Sequence, residues 1–283
     1  MSSVIVLGLS GPSCSGKTTL ALSLIKLIPN TVVIHQDDYY KKDDQIPIHH
    51  ETKQQDWDCP AAFDMDKFCS DIISTRASLE RKVVATDQGS DKHDFHLASQ
   101  WANPPEDVDK MAPTKTIGDL QRTLLDTLGI NGVENIPFSV VLVDGILLFY
   151  DQDGNERDHP GRVCDAGLFV YARYATLKAR REARTGYTTK DGVWTDPPGY
   201  FDSIVWPNFI KYNSEFVTRF PEIISDNPMQ IAANVTHDRT TSKEHSFLNN
   251  SVAICSSDMP VDLALELCTK LVLTEWQRRR SEL

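Results

Sequence analysis

The sequence predicts an α/β fold built on a parallel sheet flanked by helices. Three observations point there. An apolar run, Val4 to Leu9, enters a glycine loop and then a helical pattern. A β-branched run, Thr31 to His35, ends in Gln36, Asp37 and Asp38. A third run, Phe138 to Val143, ends in Asp144-Gly145. Parallel α/β sheets gather ligands at the carboxyl ends of their strands, where these polar residues fall.

The first loop carries the sharpest signal. Gly11, Pro12, Ser13, Cys14, Ser15, Gly16, Lys17 and Thr18 read as glycine, four residues, then Gly-Lys-Thr, the P-loop pattern. Glycines let backbone N–H groups turn inward, and the following helix, with Leu20, Leu24, Leu27 and Ile28 at helical spacing, adds a partial positive charge at its start. Such a cradle binds the phosphates of ATP or GTP. Lys17 would reach the β- and γ-phosphates, and the Thr18 hydroxyl would ligate Mg²⁺.

The acids at the strand ends have two readings each. Asp37 or Asp38 could cap the next turn, or one could accept a proton from an attacking hydroxyl. Asp144 could belong to a simple Asp-Gly turn, or could help hold Mg²⁺ as in a Walker-B element. Trp57-Asp58 suits a sugar and base, the ring packing and the carboxylate gripping vicinal hydroxyls. The segment from Thr176 to Tyr187 holds Lys178, Arg180, Arg181 and Arg184 on a predicted helix. It is either a solvated charged face or a lid whose arginines meet phosphates.

Further elements follow from periodicity. A helix is expected from Asp64, as N-cap, to about Arg81, with Phe68, Ile72 and Ile73 on its apolar side. Another runs from Ile117 to Leu128. Strands are expected at 166–172 and 251–255, and a helix over 261–279 that turns Leu263, Leu267, Leu271 and Trp276 to the core. Residues 41–56 read as a flexible polar loop. Residues 87–116 and 222–250 read as surface insertions. No repeat or linker stands out, so one domain, 1–283, is expected, with the lid at about 176–196.

Net charge is −11 and 40% of residues are hydrophobic, ordinary for a chain with a sizeable core. The acidic balance argues against nucleic acid as a partner, because phosphate backbones demand a basic face. The six cysteines form no C-x-x-C pair and read as reduced thiols. With no signal-peptide pattern and no run of ~20 apolar residues, a cytoplasmic protein is expected, the nucleus remaining open, with no membrane partner.

GPSCSGKTT, QDDYY, WD, VDGILLF, LKARREAR and DPPGYFD..VWP occur in this order. The set resembles the nicotinamide riboside kinases, within the uridine-kinase-like P-loop kinases. That resemblance implies a five-stranded parallel sheet with a helical lid. It implies transfer of phosphate from ATP to the riboside 5′-hydroxyl, with Mg²⁺. Gly11 to Thr19, Arg180 and Arg184 would bind ATP. Asp37 would accept the proton and, with Thr18 and Asp144, lie at the metal. Lys17 and Arg181 would join Asp37 in catalysis. Asp38, Tyr39, Tyr40, Trp57, Asp58, Arg181, Tyr187, Thr188 and Asp196 would line the substrate site. Ser256–Met259 is the position expected for the adenine loop. Two alternatives stay open: a uridine, cytidine or other small-alcohol kinase, and a nucleotide-dependent switch. The absence of N-K-x-D counts against a GTPase switch.

Overall fold

Strand β1 (Ser3–Ser10) is buried from Val4 to Ser10 and occupies the middle of the sheet. The computed structural model describes residues 3–87, 113–150, 159–184, 186–189, 192–219, 224 and 251–282. Among them five strands form one parallel sheet in the order β2-β3-β1-β4-β7: β2 (Thr31–His35), β3 (Phe138–Asp144), β4 (Ala166–Tyr171) and β7 (Ser251–Ser256) join β1. The expected α/β architecture is therefore observed.

Side chains alternate across a strand, and the two faces carry separate cores. Val4 and Val6 enter one cluster with Phe68 and Ile72 of α2 (Met65–Asp87) and with Phe209 of α6 (Trp206–Tyr212). Ile5, Leu7 and Leu9 enter the other, with Leu20, Leu24 and Leu27 of α1 (Lys17–Leu27) and Leu124 of α3 (Thr114–Leu128). Strands buried on both faces need helices on both, which the near-continuous apolar runs already imply.

The remaining elements are α4 (Pro160–Val163), α5 (Tyr174–Glu182), α7 (Ser214–Arg219) and α8 (Val261–Ser281), with a two-stranded antiparallel ribbon of β5 (Tyr187–Thr188) and β6 (Val193–Trp194). The helix expected over Thr176–Tyr187 is observed as α5, ending at Glu182, and the ribbon follows it within the 176–196 segment. The α5 helix stops at Glu182, and Gly186 sits at φ 154°, where a Cβ would lie 2.8 Å from Val193. Past the helix end, Gly186 takes a backbone turn open to glycine, and the β-branched residues that follow suit the extended ribbon.

Other boundaries also shift. Helix α2 runs to Asp87 and α3 starts at Thr114, so both ends of the expected 87–116 insertion are helical. Residues 88–112, and 222–250 apart from Ile224, lie outside the described residues. Asp64 does cap α2, accepting from the Lys67 N–H at 3.1 Å. Ile73, expected on the apolar side, is 55% exposed, and Leu263, expected in the core, is 43% exposed. Of the other residues expected to face the core on α8, Trp276 is buried and Leu267 and Leu271 pack half-buried against the core, while Ala264, Leu265, Cys268 and Val272 are the further buried positions. Residues 41–56 form a loop closed by its own bonds, with an Ile48–Gln55 bridge and Ile46 buried, rather than a loose polar stretch.

Among the described residues no helix is long and apolar enough to cross a membrane. All six cysteines are free, five buried and Cys14 half-buried.

Candidate active site

The phosphate loop joins β1 to α1 and is shaped by left-handed backbone. Gly11 has φ 139°, and a Cβ there would stand 1.9 Å from the Val170 carbonyl oxygen. Gly16, at φ 95°, directly precedes α1, and Cys14 adopts φ 66° despite its side chain. Lys17 is buried and folds back over the loop, its Nζ donating to the carbonyls of Gly11 and Pro12 at 2.8 and 2.9 Å. Burial lowers the Lys17 ammonium, while Asp144 and Asp37 oppose that shift. Ser15 is buried with its Oγ unpaired, and Ser13 lies beside Cys14, their Oγ and Sγ 3.7 Å apart. Thr19 gives its carbonyl to Ser23 at 2.9 Å.

Strand register brings the acids to this loop. His35 and Asp144 are partners at the carboxyl ends of β2 and β3, and Asp144 pairs with Leu9 of β1. Thr18 Oγ1 donates to Asp144 Oδ2 at 3.2 Å, and His35 Nδ1 lies 3.3 Å from the same oxygen. Asp37 follows in a short 3₁₀ turn (Gln36–Tyr39) whose start has no side-chain cap, so the turn-capping reading of Asp37 and Asp38 is not what the backbone shows. Asp37 opens to solvent on one side, yet protein crowds it on the others. Burial and the Asp144 charge raise its carboxyl, against Lys17, His35 and Arg184. Asp38 is exposed.

Thr18, Asp144 and Asp37 offer oxygen donors. One or two carboxylates with a hydroxyl, completed by phosphate and water, is the set that Mg²⁺ takes, and these residues fit it. Among the described residues no group of three or more His, Cys, Asp or Glu forms a self-sufficient metal cage.

Across the cleft lies a second buried cluster. Arg181 of α5 donates to both oxygens of Asp58, at 3.1 and 3.3 Å, and to both of Asp196, at 2.6 and 3.2 Å. Its guanidinium lies 4.9 Å from the Tyr187 ring centroid and 5.7 Å from that of Tyr200. Burial opposes the Arg181 charge, but Asp58 and Asp196 overcome it and hold the group well above its ordinary value. Burial also raises Asp58, with Arg181 pulling the other way. Trp57 is buried, its ring 5.4 Å from Tyr40 and 5.6 Å from Trp194. Tyr40 also stacks on Phe63 at 4.1 Å, and burial, Asp37 and Asp58 push its phenol well up.

Arg180 reaches both the phosphate loop and the expected adenine loop, donating to the Cys14 carbonyl at 3.2 Å and to Ser257 Oγ at 3.1 Å. Arg184 lies exposed, 5.0 Å from the Tyr187 ring. Thr188 is in β5, paired with Val193. Tyr39 departs from the group. Its hydroxyl donates to Asp71 of α2 at 2.9 Å and its ring packs on Phe68, because the 3₁₀ turn directs it to that helix. A small cavity joins the two halves, bordered by Pro12 and Ser13 of the phosphate loop, by Asp58, and by Leu147, Val205 and Phe209.

No protein-family model matches the chain. Individual relatives do. The chain is 33% identical over 205 residues to nicotinamide riboside kinase of Eremothecium gossypii, covering 72% of this chain and 74% of that one. It is 31% identical over 210 residues to nicotinamide riboside kinase of Schizosaccharomyces pombe, covering 74% and 79%. The chain belongs to the nicotinamide riboside kinase family.

Nicotinamide riboside kinase 1 of Homo sapiens is a more distant relative, 29% identical over 210 residues, 74% of this chain and 77% of that one. Within this family member the structure adds site residues that the sequence did not single out. Gln36 Oε1 accepts from the N–H groups of Ile146 and Leu147 at 2.9 and 3.0 Å, fixing the segment after Asp144. Asp56 holds the Asp58 N–H at 3.1 Å and Asn208 Nδ2 at 2.8 Å. Tyr200 donates to the Gln55 carbonyl at 2.8 Å and accepts from the Trp57 N–H at 3.1 Å. Trp194 Nε1 donates to Asp196 at 2.9 Å. Gln36 and Tyr200 lie inside the QDDYY and DPPGYFD motifs and Asp56 directly precedes Trp57-Asp58, but residue type and position alone do not reveal these bonds.

Proposed function

We propose that the protein transfers the γ-phosphoryl group of ATP to the 5′-hydroxyl of nicotinamide riboside, giving the mononucleotide that feeds NAD synthesis. Nicotinic acid riboside falls within the same reading. The observation that carries it is the shared cavity, which has the phosphate loop on one side and the buried Asp58 on the other. A donor and an acceptor bound at those two walls meet, and positioning supplies much of the catalysis in phosphoryl transfer.

In this reading Gly11 to Thr19 hold the triphosphate through backbone N–H groups. Lys17 releases the Gly11 and Pro12 carbonyls and turns to the phosphates. Arg180 and Arg184 meet ATP from the lid. Asp37, raised above an ordinary carboxylate, takes the proton of the 5′-hydroxyl. Asp58 grips the ribose hydroxyls, Arg181 orients them, and Tyr40, Trp57, Tyr187 and Asp196 enclose the ring. Thr18, Asp144 and Asp37 would hold Mg²⁺, which when bound neutralises phosphate charge.

A panel of nucleosides in an ADP-release assay tests this. Nicotinamide riboside is expected to stimulate release well above uridine and cytidine. Equal or greater stimulation by uridine would make this a pyrimidine nucleoside kinase. Release indifferent to every nucleoside would favour a nucleotide switch.

A further inference from the structure

Asp144 is 6% exposed, and its Oδ2 is held from two different elements. Thr18 Oγ1 comes from the first turn of α1, at 3.2 Å, and His35 Nδ1 from the end of β2, at 3.3 Å. An ionised carboxylate only accepts, so the proton between His35 and Asp144 belongs to Nδ1, whether the ring is neutral or charged. His35 and Asp144 are register partners on adjacent parallel strands, so the contact is built into the sheet and not into a loop. Among the described residues no hydrogen-bond donor reaches Asp144 Oδ1, which leaves that oxygen to be presented elsewhere.

We infer that His35 is a positioning residue that fixes the Asp144 carboxylate beside Thr18, and so sets how tightly the site takes a Mg²⁺–nucleotide. The inference rests on the reading of Asp144 as the acid at the metal. An aspartate turns freely about two bonds, and Thr18 alone is one restraint on one oxygen. A hydroxyl can donate its proton to Asp144 while its lone pairs face a cation, so the Thr18 contact survives metal binding. It does not prevent the carboxylate from swinging about that single bond. The imidazole supplies the second restraint. Groups that orient a ligand in this way change metal affinity by about tenfold or more when removed.

The test is calorimetric titration of the full chain with ADP, with and without Mg²⁺, so that it does not depend on turnover. Two variants separate the bond from the bulk. His35→Phe keeps a ring but has no donor. His35→Asn loses the ring but places an N–H near the position of Nδ1. His35→Phe is expected to raise the Mg²⁺ concentration for half-maximal enhancement of ADP binding about tenfold. ADP binding without Mg²⁺ should change less than about twofold, and His35→Asn should stay within about threefold of the parent. His35→Leu is a second donor-free variant, should the Phe substitution fail to fold. Unchanged Mg²⁺ dependence in the donor-free variants overturns the inference, as does a His35→Asn variant as impaired as His35→Phe. Asp144→Asn runs alongside. If it too leaves Mg²⁺ dependence unchanged, the metal role of Asp144 falls and the inference with it. If it weakens Mg²⁺ dependence while His35→Phe does not, only the positioning role falls.

Discussion

Arg181 and Asp58, 123 residues apart in sequence, form a two-bond ion pair that is buried on both sides, at 5% and 7% side-chain exposure. Asp196 closes the other edge of the same guanidinium. One cation thus ties the lid segment to the acid expected to grip the riboside. A bound riboside would enter this network and not an open surface.

Removing the arginine should therefore cost stability as well as binding. Arg181→Met leaves the buried Asp58 and the half-buried Asp196 without their cation, and should lower unfolding free energy by about 3–5 kcal/mol in urea titrations at neutral pH. Adding Asp58→Asn to that variant should recover part of the loss. A variant as stable as the parent would mean that the pair is held by solvent.

Asp58→Ala should raise KM for nicotinamide riboside about tenfold or more, equivalent to about 1.4 kcal/mol, and change KM for ATP much less. Steady-state kinetics with each substrate varied in turn will separate the two. An unchanged riboside KM would remove Asp58 from the acceptor pocket.

Asp37→Ala should lower kcat by about 10²–10⁴, the usual weight of a general base, with ATP binding by calorimetry largely kept. Equal loss of ATP affinity would make Asp37 chiefly a metal ligand.

At the opposite end of the sheet, Glu275 accepts from Arg278 at 2.7 Å and from Arg279 at 2.8 Å, and Arg279 also donates to the Val4 carbonyl at 3.0 Å. Burial opposes the Glu275 charge, but the bonds from Arg278 and Arg279 win and its carboxyl is lowered. A lowered acid stabilises the fold above its unfolded pKa, and that contribution fades as pH falls through the folded value. Glu275→Gln should therefore be less stable than the parent by about 1 kcal/mol at pH 7. The gap should close as the pH falls below about 4.5, the ordinary value for this group. A gap that is constant from pH 7 to pH 3 would assign it to packing.

The parallel sheet was legible because each strand is an apolar run that stops at a polar residue. Val4–Leu9, Thr31–His35 and Phe138–Val143 need no long-range information to be read. The phosphate loop was legible for a similar reason, since its glycines answer a local backbone demand, visible at Gly11 and Gly16. What escaped depends on topology. Gln36 reaches residues 146 and 147, and Tyr200 reaches Gln55 and Trp57, and no periodicity marks such pairs. The ribbon of β5 and β6 escaped because the basic run over Lys178–Arg184 reads as helix, and two-residue strands beyond Gly186 carry no periodicity. Ile73 stands beside the equally apolar Ile72, and only Ile72 is buried, while Leu263 is followed by Ala264 and Leu265, which are buried in its place.

The most direct measurement is ³¹P NMR of the protein incubated with ATP, Mg²⁺ and nicotinamide riboside. The account predicts that a 5′-phosphomonoester of the riboside grows in step with ADP, and that Asp37→Ala suppresses it. ADP accompanied only by inorganic phosphate, or no riboside phosphate at any enzyme concentration, would contradict it.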